Sequence, residues 1–246
     1  MSERGPASGV LIGRVAVVFG ATGWLGAAIC RELASAGASV VMVGRNADRL
    51  DELQRELGSS DRILTAIADV TSQLDVDDAR EAAIARFGHV DLLVVSSGVV
   101  TSSAFEDGVP ADWGEMIDVN LRGLLHASQT FAEPLLRSTD GGGRADLVLI
   151  GAVGTDVSTP RFAVFNAVSA AIKQLARTLR HEYGPRGLRV HIIEPGFTSD
   201  TESEHDARRA ASPVQPETIA AVVTLAAGLP RGANLAEVLL LPTETA

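Results

Sequence analysis

Short runs of consecutive apolar residues alternate along this chain with longer stretches of helical period. Val15-Ala16-Val17-Val18-Phe19 and Val40-Val41-Met42-Val43 read as strands buried on both faces, because neither alternates with polar residues. On the same pattern, strands are expected at 14–19, 39–43, 63–67, 91–95, 146–150, 188–193 and 237–241. Helices are expected at 25–35, 47–57, 76–87, 113–137, 161–183 and 217–227. Strands and helices in strict alternation predict an α/β fold: one Rossmann-like, doubly wound parallel sheet with helices on both faces. Residues 1–13 are expected as a flexible N-terminal extension, and 14–246 as one dinucleotide-binding domain. The polar segment 197–216 follows a strand end and is long for a loop, so it is expected as a lid over the cleft.

Composition narrows the setting. At 246 residues, with 46% hydrophobic and 21% charged positions, the chain has the balance of a globular protein. A net charge of −10 speaks against a nucleic-acid or anionic-membrane surface as the main partner. No apolar run approaches the roughly 20 residues that span a bilayer, and the N-terminus lacks the apolar core of a secretory signal. The single cysteine, Cys30, permits no intrachain disulfide and no cysteine-based metal site, and fits a reducing cytoplasm.

Candidate chemistry begins where the first strand ends, at Gly20-Ala21-Thr22-Gly23-Trp24-Leu25-Gly26. Glycines in a strand–turn–helix context let backbone approach a pyrophosphate, and the helix start offers free N–H groups to it. The second strand ends in Gly44-Arg45, with no carboxylate to bond a ribose 2′-hydroxyl. Arg45 lies 19 residues after Gly26, and its guanidinium suits a 2′-phosphate, which favours NADP(H) over NAD(H). Asp69, at the end of the third strand, is placed either to accept from an adenine amino group or to serve as a helix N-cap or turn residue.

Over nearly its whole length the chain resembles the short-chain dehydrogenase/reductase family. The resemblance is carried by GATGWLG, GRN, ADV, VSSG, DVNLRG, EYGPRGLRV and EPGFT. It implies a dinucleotide bound by the glycine turn, by Asp69 and Val70, by Ser97 and Gly98, and by Pro195, Gly196 and Thr198. It implies hydride transfer with a small-molecule substrate. It further implies a homo-oligomer, dimer or tetramer, built through the two long helices, and it admits a mixed oligomer with an active relative.

Active members of that family use a Ser, a Tyr and a Lys, with an Asn on the preceding long helix. Here the matching positions read Ala152, Phe165 and Ser169, and only Asn120 is retained. The one tyrosine of the chain does not fill the gap, and the one lysine could do so only by the reach of its long side chain. Tyr183 lies 18 residues beyond Phe165, about 27 Å along a helix. Lys173 lies one turn beyond Ser169, about 6 Å away, and reads as a surface cation on an amphipathic helix. Thr155, Asp156, Ser158 and His191 are the other polar groups a remodelled site could use, each with a structural role as its simpler reading.

Three functions stay open at this level. The first is an atypical NADP(H)-dependent oxidoreductase acting on an activated acceptor such as an iminium ion or an enone. The second is a non-redox cyclase, dehydratase or isomerase on the same fold. The third is a catalytically silent subunit or ligand sensor.

Overall fold

A computed structural model describes residues 9–58, 60–153, 160–196 and 214–243. Seven strands form its sheet: β1 (Val15–Phe19), β2 (Ser39–Gly44), β3 (Ile63–Ile67), β4 (Leu92–Val95), β5 (Ala145–Ile150), β6 (Leu188–Pro195) and β7 (Glu237–Leu240). They run parallel in the order β3-β2-β1-β4-β5-β6-β7. The order reverses beside β1, and a crevice opens there at the carboxyl ends of β1 and β4.

Continuous apolar runs are stable in this position because helices cover both faces. Val15, Val17 and Phe19 pack into one core with α3 (Gln73–Phe87), α5 (Leu124–Thr139) and α6 (Ala163–Tyr183). Ala16 and Val18 point the other way, toward α1 (Trp24–Ser35), α2 (Ala47–Glu56) and α7 (Pro216–Gly228). Local chemistry fixes the helix ends. Asn46 caps α2 by accepting from the Arg49 N–H, Ser72 caps α3 by accepting from the Asp75 N–H, and Gly88 ends α3 in the left-handed region at φ 81°.

Two expectations change, and a third falls mostly outside the described residues. The helix expected at 113–137 is a composite of α4 (Pro110–Met116), a π-helical turn (Ile117–Gly123) and α5. The N-terminal extension is packed from Gly9 onward: Leu11 is fully buried and its N–H donates to the Ala36 carbonyl. Of the expected lid, 197–213 lie outside the described residues, whereas Val214 is buried and Pro216 opens α7.

At the amino ends of the strands sits a cluster of buried charges. Asp146 accepts from Arg14 (2.7 Å), from both nitrogens of the Arg189 fork (2.7 and 2.9 Å) and faces His191 Nε2 at 2.8 Å. Arg14 also pairs with Asp91 at 2.7 Å, and Arg189 donates to the carbonyls of Ala227, Leu229, Pro230 and Ala233. His191 is thereby committed at the end of the sheet opposite the crevice, which removes it from the candidate acids and bases. Among the described residues no helix is long and apolar enough to cross a membrane.

Candidate functional site

The crevice owes its shape to glycines at close approaches. Gly20 turns the chain at φ 79°, and a Cβ there would lie 2.7 Å from the Ser97 nitrogen and 2.8 Å from the Ser96 carbonyl carbon. A side chain would therefore push the β1 and β4 turns apart. At Gly26 a Cβ would fall 2.0 Å from the Gly20 oxygen, so the α1 backbone packs directly on the turn. Gly23 is the N-cap of α1 and carries no side chain to cap it, and the first turn of that helix contains no acid. The opening N–H groups of a twelve-residue helix thus lack a side-chain acceptor, which suits them to an anion.

The cleft beside this turn holds about 370 Å³. Its walls come from Gly20, Thr22 and Gly23 after β1, and from Gly44, Arg45, Asn46 and Arg49 after β2. Asp69 and Val70 follow β3, Ser96 to Val99 follow β4, and Val119 closes the floor from the π turn. Four successive strand ends converge on it. A larger hollow of about 860 Å³ lies between α3 and α5 at the other end of the sheet, among Arg80, Glu81, Glu133 and Arg137. Arg137 pairs with Glu133 and Arg80 with Glu81 there, and none of the expected site residues reaches it.

Charge in the cleft is arranged unevenly. Arg45 is exposed and meets Asp69 only at 3.8 Å, a loose pair that leaves its guanidinium directed by solvent. Arg49, which the sequence reading did not single out, lines the same wall, brought there by the Asn46 cap. Asp69 spends its Oδ1 on the Thr71 N–H (2.9 Å) and hydroxyl (2.7 Å), the turn role that competed with adenine recognition, while Ser72 caps α3. Its own N–H donates to Asp75, and that bond, with the Ser72 hydroxyl, holds the Asp75 carboxyl below the usual carboxylate range.

Asn120, on the π turn, accepts from the Val99 N–H and donates to the Val99 carbonyl, both at 2.8 Å. It clamps the loop after β4 rather than lining the cleft. Trp24, Leu25, Gly26, Pro195 and Gly196 do not line the described cleft either, and Thr198, Thr155, Asp156 and Ser158 lie outside the described residues. Phe165 is half-buried and meets Phe162 edge to face, ring centres 6.3 Å apart. Ser169 is buried, its hydroxyl donating to the Phe165 carbonyl at 2.9 Å. Lys173 corrects the surface reading: it is 8% exposed, and its Nζ lies 2.9 Å from Glu194 Oε2. Tyr183 packs against the core at the far end of α6, as its distance in sequence requires. Burial pushes the Cys30 thiol up to about 12, so it is no nucleophile.

A family model described as short chain dehydrogenase matches residues 14–212. The chain belongs to the short-chain dehydrogenase family. An uncharacterized oxidoreductase of Staphylococcus epidermidis is 34% identical over 229 residues, covering 93% of this chain and 97% of the relative. A Staphylococcus aureus counterpart is 31% identical over 235 residues, covering 95% and 99%. Among solved structures, a dehydrogenase/reductase from Sinorhizobium meliloti superposes with TM-score 0.83 at 28% identity, covering 94% of this chain and 95% of the other. A 3-ketoacyl-(acyl-carrier-protein) reductase from Brucella melitensis, complexed with NADH, superposes with TM-score 0.86 at 23% identity, covering 93% and 96%. The last likeness carries the fold alone, and it is the sheet order of this short-chain dehydrogenase that it reproduces.

Proposed function

We propose that this short-chain dehydrogenase binds NADP(H) in the 370 Å³ cleft and reduces or oxidises an activated small molecule. The observation that carries the reading is the uncapped start of α1 beside Gly20 and Gly23, with Arg45 and Arg49 on the adjoining wall. The helix start suits the pyrophosphate, and the two guanidinium groups suit a 2′-phosphate, for which a fork of N–H donors is well matched. The dinucleotide supplies the hydride when bound. Solved structures of the same fold hold NADH in one case and NADP⁺ in another, so the choice of NADP(H) rests on Arg45 and Arg49.

The chain's own residues define what it does with such a donor. Ala152, Phe165 and Ser169 stand where the resemblance puts the Ser, Tyr and Lys, so no hydroxyl is held at 165 to protonate a carbonyl oxygen. A positioned acid contributes about 10²–10⁴-fold to such a step. The substrate is therefore one that can take hydride without a positioned acid: an iminium ion, which becomes a neutral amine, or an enone, whose enolate takes its proton later from water. Phe165 and Phe162 offer an apolar wall to such a planar group. Ile117 and Leu125, 41% and 42% exposed on the long helix, provide apolar surface for a homo-oligomer.

Titration of the purified protein with NADPH, followed by nicotinamide fluorescence, tests the cofactor assignment. Arg45→Ala is expected to weaken NADPH about tenfold, the effect of losing about 1.4 kcal/mol, and to leave NADH unchanged. Absence of NADPH binding in the wild-type protein, or equal affinities for NADH and NADPH, would sink the proposal.

A further inference from the structure

The end of β3 places a fixed negative charge in the same wall of the cleft as Arg45. Gly44 pairs with Ile67 across β2 and β3, and the Ala68 N–H donates to the Gly44 carbonyl at 3.0 Å. Arg45 and Asp69 therefore leave the two strand ends side by side, and both line the 370 Å³ cleft. They differ in how they are held. Asp69 is bonded on three sides. Its N–H donates to Asp75 Oδ2 (2.9 Å), its carbonyl accepts from the Ser72 N–H (2.9 Å), and its Oδ1 takes the N–H and hydroxyl of Thr71. Among the described residues Oδ2 accepts no hydrogen bond, and the cation facing it, Arg45 Nη1, stands 3.8 Å away. The Arg45 side chain is 65% exposed, with that loose pair as its one polar contact among the described residues.

A phosphate entering this wall meets unequal neighbours. The guanidinium can swing to it, because an exposed pair at that separation contributes little. The carboxylate cannot retreat, because moving it breaks the turn that leads into α3. A phosphate monoester carries a charge of about −1.5 to −2 at neutral pH, so Asp69 repels it while Arg45 and Arg49 attract it. A ribose hydroxyl in the same place carries no charge and feels neither force. We infer that Asp69 is a specificity-determining residue that works against the 2′-phosphate. It is a fixed like charge that lowers the affinity for NADPH and narrows the preference that the two arginines create. This rests on the dinucleotide reading above, and it gives Asp69 a role other than contact with adenine.

Asp69→Asn isolates the charge. An amide oxygen still accepts from the Thr71 N–H and hydroxyl, so the turn keeps its bonds and only the negative charge goes. Nicotinamide fluorescence gives the NADPH and NADH affinities of the wild-type protein and the variant. The substitution is expected to tighten NADPH about fivefold and to leave NADH unchanged. The same contrast is expected by calorimetry between adenosine 2′,5′-bisphosphate and adenosine 5′-monophosphate, which carry no nicotinamide. Equal weakening of NADPH and NADH would assign Asp69 to the adenine ring and refute the inference. Equal tightening would assign the repulsion to the pyrophosphate, and no change in either would show that the carboxylate does not act on the 2′-phosphate; each overturns it. Absence of NADPH binding in both proteins would instead remove the dinucleotide reading, and the inference with it.

Discussion

On the proposed reading, Phe165 stands where the resemblance puts a proton-donating tyrosine, and Ala152 and Ser169 where it puts the groups that tune it. Restoring all three, as Ala152→Ser, Phe165→Tyr and Ser169→Lys, is expected to raise NADPH-dependent reduction of a simple ketone by at least 10²-fold over the parent, the lower bound for a positioned acid. The decay of NADPH absorbance measures it. No gain with NADPH demonstrably bound would mean that these side chains do not face the hydride. The single-residue logic of the cleft was largely legible in the sequence, because glycine at a strand end and a cation after β2 each have a narrow physical use. Gly20 and Arg45 stand where that logic puts them. Lys173 was not legible. Helical period assigns a residue to a face, but α6 lies against β6 and carries the base of that charge under the sheet edge, where Glu194 awaits it. A glutamate following Ile192 and Ile193 at the end of a buried strand was the available signal.

Among the elements, the strands could be placed to within two residues, since runs such as Val15–Phe19 are buried at every position and have no polar partner pattern to blur them. The long helix was read as uniform, and it is not. The π turn Ile117–Gly123 reads IDVNLRG, apolar at 117, 119 and 121 with polar residues between, and holds nothing that a continuous helix would forbid. Widening the helix there brings Asn120, Gly123 and His126 to bear on the two loops that flank the cleft. Asn120 holds Val99, Gly123 packs so close to Val70 that a Cβ would meet it at 2.6 Å, and His126 Nδ1 lies 3.2 Å from the Val70 carbonyl. Such turns concentrate at functional sites. Asn120→Ala removes both bonds to Val99 and leaves a half-buried N–H and carbonyl without them. It is expected to lower unfolding free energy by about 1–3 kcal/mol, read from urea midpoints, and to weaken NADPH as the loop relaxes. Asn120→Asp keeps the acceptor for the Val99 N–H and should lose less. A variant with native NADPH affinity would show that the clamp does not shape the cleft.

At the scale of the whole molecule, the two ends of the sheet are built on different chemistry. The carboxyl edge is glycine-rich and open, whereas the amino edge is locked by Arg14, Asp91, Asp146, Arg189 and His191. Arg189 gathers four carbonyls between Ala227 and Ala233 and, with Arg14 on the Ala227 carbonyl, fastens the end of the last helix to the strands. The two carboxylates of the cluster differ. Burial raises the pKa of Asp91 despite the pull of Arg14 and the Val15 N–H. For Asp146, burial pushes upward as well, yet hydrogen bonds from His191 and Arg189, with the Arg14 charge, outweigh it and hold the carboxyl below its usual range. A folded-state pKa below the unfolded value means that the stabilisation is present above the unfolded pKa of about 3.9 and is lost as pH falls through the folded one. Asp91 contributes with the opposite sign, being the first of the two to take up a proton. Urea unfolding is therefore expected to show the Asp146 share of the stability declining below about pH 4, against an Asp91 share that grows over the same range. Asp146→Asn should flatten the part of that decline due to Asp146. It should also cost about 3–5 kcal/mol at pH 7, because Arg14 and Arg189 then lose a buried partner. An unchanged acid limb in the variant would assign the decline to other carboxylates.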